Sequence, residues 1–333
     1  MRTDSHQHPH RATTTAPSRR ARHPRVADRY PTRSSASVEP GGRVRWIDRP
    51  HAVVWSADGD SAAVDGPFGS GELRSHEEKG YTIVPGLLSP AEVQEYWSEL
   101  ERLTADPALA DDHRVIREPG SGAIRSIFEV HRISEVIAGL ARDRRVLDAA
   151  RQILGSEVYI HQSRINYMPG FEGKGFYWHS DFETWHAEDG LPVPRAVSLS
   201  IALTDNYPFN GGLMVMPGSH RHFVPGQGET PTENHRRSLI MQNVGVPSHD
   251  DITELAAEYG IDQFTGAAGA GLWFDSNIMH GSGNNITPYP RSNIFLVFNS
   301  VDNAPVDPFE AAAPRPPHIA ARDTTPMLRR GRG

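Results

Sequence analysis

The chain's 333 residues include no cysteine, which excludes disulfides, thiolate zinc sites and cysteine-ligated iron–sulfur clusters, and the length suits one large domain or two. Net charge is −7, but residues 1–50 hold eleven arginines against four acids (+7), leaving −14 for the rest, and so acidic a body argues against nucleic acid as a partner. With no signal-peptide pattern and no apolar run near the ~18 residues that cross a bilayer, the expectation is a cytoplasmic protein with no membrane partner.

Residues 1–40 are rich in Arg, Ser, Thr, Pro and His and nearly free of large apolar side chains. Such a composition buries too little surface to offset chain entropy, so a disordered leader is expected, and a single domain over 41–304. Order is expected to begin near Gly80-Tyr81-Thr82-Ile83-Val84, a short strand leading to a helix. Ser89-Pro90-Ala91-Glu92 supplies an N-cap serine, proline at the first helical position and glutamate at the third. Val93, Tyr96, Trp97 and Leu100 then fall on one face. Val136, Ile137, Leu140, Val146, Leu147, Ala150 and Ile153 predict a second helix over 134–154. From 158 the pattern changes to short strands, clearest at 158–165, 196–203, 212–216, 271–274 and 293–298, with one inserted helix at 251–259. The fold class expected is mainly β with packed helices: a double-stranded β-helix (jelly-roll, cupin-like) core over about 158–300 beside an N-terminal helical scaffold. Residues 305–333 read as a Pro-rich C-terminal tail.

Within the strand-rich half lies the run Phe176-Tyr177-Trp178-His179-Ser180-Asp181-Phe182-Glu183-Thr184-Trp185-His186. A His and an Asp two apart on an extended strand point to the same side, so both can reach one metal. His280 could complete the set. Two His and one carboxylate on one face of iron leave three adjacent positions open, the arrangement of non-heme Fe(II) oxygenases. Alone, His-x-Asp is a weak signal among 17 histidines. His249-Asp250-Asp251 repeats it where an Asp more naturally caps the following helix, and His186-Ala187-Glu188 reads as a loop pair. The neighbours of His179 sharpen the signal, because Trp178, Phe182 and Trp185 can wall a dry pocket. His280 by itself could be a hydrogen-bonded core histidine, but Arg291 follows it at the head of the apolar Ile294-Phe295-Leu296-Val297-Phe298. Oxygenases of this geometry commonly use 2-oxoglutarate, whose distal carboxylate a planar guanidinium can grip through two parallel hydrogen bonds.

The run from Phe176 to Pro192, with Met216-Pro217-Gly218-Ser219-His220 and Met279-His280-Gly281-Ser282, resembles the ectoine hydroxylase family of the phytanoyl-CoA dioxygenase-like superfamily. The likeness extends from about Gly80 to Asp323 and does not reach residues 1–40. It implies Fe(II) held by His179, Asp181 and His280, and 2-oxoglutarate held by Arg291 and Ser282 with Asn166 contributing. It implies a substrate pocket formed by Gln162, Trp185, Asn293 and Phe295, with Phe128 and Thr184 nearby. The implied reaction takes ectoine, O2 and 2-oxoglutarate to 5-hydroxyectoine, succinate and CO2, in a chain that could form a homodimer. Ectoine's delocalised amidinium would stack on Trp185, Phe128 and Phe295, while its carboxylate and ring N–H groups need partners such as Gln162, Thr184 and Asn293. Three other readings stay open: a related dioxygenase acting on another small zwitterion such as proline, a cupin-like module that binds a metal or solute without turnover, and a zinc hydrolase.

Overall fold

A computed structural model of the chain describes residues 27–33, 46–57, 65–118, 120–240 and 242–329. The N-terminal part holds β1 (Ile47–Asp48), α1 (Ser70–Lys79), β2 (Tyr81–Val84), α2 (Pro90–Ala105), β3 (Val115–Arg117), β4 (Ile124–Phe128), α3 (Val130–Ile133), α4 (Glu135–Ala141) and α5 (Arg144–Leu154). The strand-rich part follows with β5 (Val158–Met168), β6 (Phe176–His179), α6 (Asp181–Thr184), β7 (Ala196–Ala202), β8 (Leu213–Val215) and β9 (His222–Phe223). It continues through α7 (His235–Ser238), α8 (His249–Tyr259), β10 (Asp262–Gln263), β11 (Gly271–Asp275), β12 (His280–Ser282) and β13 (Arg291–Ser300).

A seven-stranded sheet runs β2-β11-β7-β13-β5-β4-β3 and a four-stranded sheet runs β10-β8-β12-β6, every pairing antiparallel. Strand alternation sorts β13 into two faces. Ile294, Leu296 and Phe298 join Val197, Leu199 and Ile201 of β7 in a core shared with Leu100, Leu103, Ile137, Leu140, Leu147 and Ile153 of the helices. Phe295 faces the other way, into a second core with Leu213 and Val215 of the smaller sheet and Leu272 and Phe274 of β11. Each such side chain contributes about 1.5–3 kcal/mol on burial, so the helical layer holds the large sheet as a rigid floor. Both sheets and the packed helices match the expected jelly-roll class. No helix among the described residues is long and apolar enough to cross a membrane.

Several local expectations need correction. The capping box at α2 forms, with Ser89 N donating to Glu92 (2.8 Å) and Glu92 N to Ser89 Oγ (3.3 Å). The helix expected over 134–154 is broken into α4 and α5, because the Asp143 carboxylate accepts from Arg145 N (2.8 Å) and starts a new helix there. Helix α1 precedes the expected start of order; its SGELRSHEEK sequence offers one large apolar residue and no periodicity to read. Ser248, not Asp250 or Asp251, caps α8, with Asp251 as its capping-box partner. Of the expected disordered leader, residues 27–33 are packed, with Tyr30 fully buried, while 1–26 and 34–40 lie outside the described residues. The stretch after 304 adds no helix or strand, yet Ile319, Ala320 and Arg315 are buried; 330–333 lie outside the described residues.

Candidate active site

His179 ends β6 and is paired in register with His280, which opens β12, so the two rings lie side by side with centroids 4.3 Å apart. Asp181 does not continue that strand, contrary to the sequence reading. Ser180 caps α6, accepting from Glu183 N, and the turn from strand into helix swings Asp181 beneath the histidines. Its two carboxylate oxygens lie 3.8 Å from His179 Nε2 and 3.9 Å from His280 Nε2. Each imidazole is fixed from its other nitrogen: His179 Nδ1 donates to Tyr177 O (2.7 Å) and His280 Nδ1 to Ile278 O (3.0 Å). That leaves both Nε2 lone pairs directed at the carboxylate, the tautomer a metal requires. Burial, with His280 adjacent, pushes His179 down to about 4, so its imidazole is neutral at neutral pH, the form that can bind a metal. This is the one His/Asp/Glu cluster among the described residues whose donor atoms converge, all within 4.8 Å.

The triad opens into a cavity between the sheets. Phe128, Gln162, Asn166, Thr184, Trp185, Ser282, Arg291 and Phe295 line it together with the triad. Asn293 does not. It lies on the same strand face between Arg291 and Phe295, but its amide donates to Ser200 Oγ (3.1 Å) and is spent inside the sheet. The expected pocket walls Trp178 and Phe182 also turn elsewhere, Trp178 toward Met216 and Met279, Phe182 toward Tyr30 and Phe223. His186 and Glu188, read as a loop pair, are buried in a π-helical turn over Trp185–Asp189. Gly190 ends that turn with φ 83°, where a Cβ would come 2.2 Å from Val306 O.

Arg291 is 6% exposed, and its Nε is buried without a partner among the described residues. Among the described residues its side chain forms no ion pair. Burial, then nearby Arg125, pushes its guanidinium down to about 10. A buried guanidinium in this condition favours an anion in the cavity. Ser282 Oγ accepts from Phe176 N (3.1 Å), and Asn166 accepts from Ser126 (2.8 Å).

Sequence reasoning missed three further arginines lining the cavity. Arg164 stacks over Phe295 (4.8 Å) and Phe128 (5.9 Å), hydrogen-bonds Gln162, and has no carboxylate within ion-pair distance among the described residues. Burial lowers its pKa. Arg315 grips Asp189 with both prongs (2.8 and 2.5 Å), and Arg125 pairs Glu118 (2.8 Å) over the Phe176 ring (4.2 Å). Position in an alternating strand was a usable signal for Arg164, since it shares a face with Gln162 and Asn166; nothing local marked Arg315.

The family profile of phytanoyl-CoA dioxygenase (PhyH) matches residues 76–293. The ectoine dioxygenase of Nocardia farcinica is 60% identical over 300 residues, 90% of this chain and 95% of that one. The ectoine dioxygenase of Streptomyces coelicolor is 56% identical over 302 residues, covering 91% and 97%. Among solved structures, EctD from S. alaskensis with 2-oxoglutarate and 5-hydroxyectoine superposes with a TM-score of 0.79 at 43% identity, covering 92% of this chain and 99% of that one. The same protein with bound Fe gives the same figures.

Proposed function

The chain belongs to the phytanoyl-CoA dioxygenase family, and we propose on that footing how its own residues share the work of the reaction. It is an Fe(II)- and 2-oxoglutarate-dependent dioxygenase that hydroxylates ectoine to 5-hydroxyectoine, releasing succinate and CO2. One oxygen atom of O2 enters each organic product. The observation that carries the assignment of roles is the pairing, in one cavity, of a converging His-Asp-His triad with a buried guanidinium that lacks an ion-pair partner among the described residues.

His179, Asp181 and His280 would hold the iron; two Nε2 atoms with fixed tautomers and one carboxylate fit Fe(II). When bound, the metal supplies the oxygen activation that couples loss of CO2 from 2-oxoglutarate to hydroxylation. Arg291 would take the distal carboxylate of 2-oxoglutarate, with Ser282 and Asn166 beside it. For ectoine, Gln162 and Thr184 offer polar contacts, and Trp185, Phe128 and Phe295 offer faces for its amidinium. Arg164 suits the ectoine carboxylate, being a cavity-lining cation without an acidic partner. Asn293 would act indirectly, holding Ser200 and the strand that presents Phe295. These walls keep water from the target C–H and fix its approach.

The competing substrates keep no specific support. We place the protein in the cytoplasm, where 2-oxoglutarate is available, and leave the homodimer as a proposal that a sedimentation measurement decides. The division of roles is tested by Arg164→Gln, which should raise the KM for ectoine while leaving that for 2-oxoglutarate unchanged. Equal shifts for both co-substrates would show that Arg164 does not discriminate them.

A further inference from the structure

The segment 27–33 packs against the corner that carries Asp181, Thr184 and Trp185. Tyr30 meets Phe182 edge-on at 5.0 Å, and Asp28 lies 3.0 Å from His186 Nε2. The segment's last described residue, Arg33, reaches furthest. Its side chain is 1% exposed. Nε and Nη2 form a fork on Glu183 (both 2.8 Å), and Nη1 binds Glu188 (2.6 Å) and Thr230 (2.9 Å). Thr32 adds a third bond to Glu183 (2.6 Å). Neither glutamate has another cation within ion-pair distance among the described residues.

The far side of this guanidinium is a slot built from glycine. Gly245 has φ 74°, and a Cβ there would lie 2.2 Å from Arg33 Nη2. A Cβ on Gly226 would lie 2.4 Å from Gly245 Cα and 2.7 Å from Glu183 Oε1. Arg33 itself adopts φ 56°, a left-handed conformation that a non-glycine residue holds only when its surroundings impose it, and its N–H donates to Gly226 O (3.0 Å). One side chain therefore joins two pieces of the cavity wall. Glu183 and Glu188 flank Thr184 and Trp185 in sequence. The 226–245 stretch lines the cavity through Leu239 and Gln242, and Gln242 donates to Thr184 Oγ1 (3.2 Å). Asn234 of that stretch also binds Glu188 (2.7 Å).

We propose that Arg33 is a positioning residue for ectoine: it locks the Thr184–Trp185 wall to the 226–245 stretch, and so sets the width of the substrate side of the cavity. The inference rests on the reading of that side as the ectoine site. None of Arg33's partners belongs to β12 or β13, which carry His280, Ser282 and Arg291, so the 2-oxoglutarate side should not feel its loss. Without the guanidinium, two buried carboxylates lose the cation they share, and the wall pieces loosen, still joined by the Gln242–Thr184 and Asn234–Glu188 hydrogen bonds. A misplacement of a substrate wall by about 1 Å lowers productive binding by about tenfold to a hundredfold.

The test uses the full chain loaded with Fe(II), comparing the unmutated protein with Arg33→Gln and Arg33→Lys, each checked for native circular dichroism. Arg33→Gln should raise the ectoine KM at least about tenfold, leave the 2-oxoglutarate KM unchanged, and yield more succinate than hydroxylated ectoine. Arg33→Lys keeps the charge but not the fork, and should fall between; should the Gln variant not fold, the Lys variant carries the measurement. Trypsin should cut faster after Arg236 and Arg237 of the short helix α7 in both variants, a readout that needs no substrate. Unchanged ectoine KM and unchanged coupling in a folded variant would overturn the proposal, as would a rise in both KM values together. The unmutated protein reports separately on whether ectoine is the substrate.

Discussion

Replacing Arg291 by Gln separates two contributions that most active-site substitutions confound. Its guanidinium is buried with no ion-pair partner and an orphaned Nε among the described residues, and burial, reinforced by Arg125, depresses it from its ordinary value to about 10. The unfolded chain therefore binds the proton more tightly than the native state does. The resulting penalty is complete below pH 10 and is relieved only as pH rises above 10 toward the ordinary guanidinium value. At about 1.4 kcal/mol per pH unit it amounts to roughly 3 kcal/mol at neutral pH. Arg291→Gln removes that charge, so the unliganded variant should melt no lower than the unmutated protein, and by a few degrees higher if the amide is accommodated. Binding of 2-oxoglutarate should respond in the opposite direction. Each charge-assisted hydrogen bond contributes about 1.5–3 kcal/mol, and a neutral amide replaces the pair poorly, so a net loss of about 3 kcal/mol, or roughly a hundredfold in KM for 2-oxoglutarate, is expected. Differential scanning fluorimetry of the metal-free proteins gives the first quantity, and succinate production across a 2-oxoglutarate titration gives the second. Iron uptake by equilibrium dialysis should not change. A lower melting temperature, or an unaltered 2-oxoglutarate requirement, would refute the account of Arg291 as an anion receptor held ready at a folding cost.

Asp181→Asn keeps the shape and removes the carboxylate charge; since among the described residues only Ser198 (3.4 Å) hydrogen-bonds that carboxylate, the melting temperature should hold while Fe(II) affinity falls by at least about a hundredfold in dialysis. Trp185→Phe should uncouple the reaction, with succinate outrunning hydroxylated product; one-to-one stoichiometry in that variant removes Trp185 from the substrate wall. His76 is 1% exposed, its Nε2 lacks a partner among the described residues, and burial lowers it to about 4. Its depressed native pKa means the unfolded state takes up the proton first, so stability is complete above pH 6.5 and is lost as pH falls toward 4. His76→Gln cannot titrate, and its stability should fall less steeply across that window, by up to about 1.4 kcal/mol per pH unit in denaturant titrations; identical slopes would mean His76 is not the group responsible.

What the sequence disclosed about the site depended on how local each signal was. His179 and Asp181 were legible because two ligands and their aromatic neighbours fall within one short run, although the geometry that joins them is a strand-to-helix corner and not a strand. Arg291 stood out by its place before an apolar strand. Asn293 shows the limit of that logic: alternation puts it on the cavity face, yet Ser200 on the neighbouring strand claims its amide. Arg315 was hidden because a Pro-rich stretch gives no periodicity, and its partner Asp189 lies 126 residues earlier. Arg33 and Tyr30 were hidden more deeply, since composition averaged over 1–40 cannot register seven residues whose burial depends on long-range partners. The jelly-roll class came through because many short strands broken by Gly and Pro turns follow a helical half, whereas the break at Asp143 turned on a single carboxylate competing for a helix start.

The most direct test of the central claim is incubation of the Fe(II)-loaded protein with ectoine, 2-oxoglutarate and 18O-labelled O2, followed by mass spectrometry and proton NMR of the products. The account predicts 5-hydroxyectoine carrying one labelled oxygen, with one labelled succinate formed for each molecule hydroxylated. Labelled succinate beside unaltered ectoine would contradict the substrate assignment, and no turnover of 2-oxoglutarate by the iron-loaded protein would contradict the dioxygenase itself.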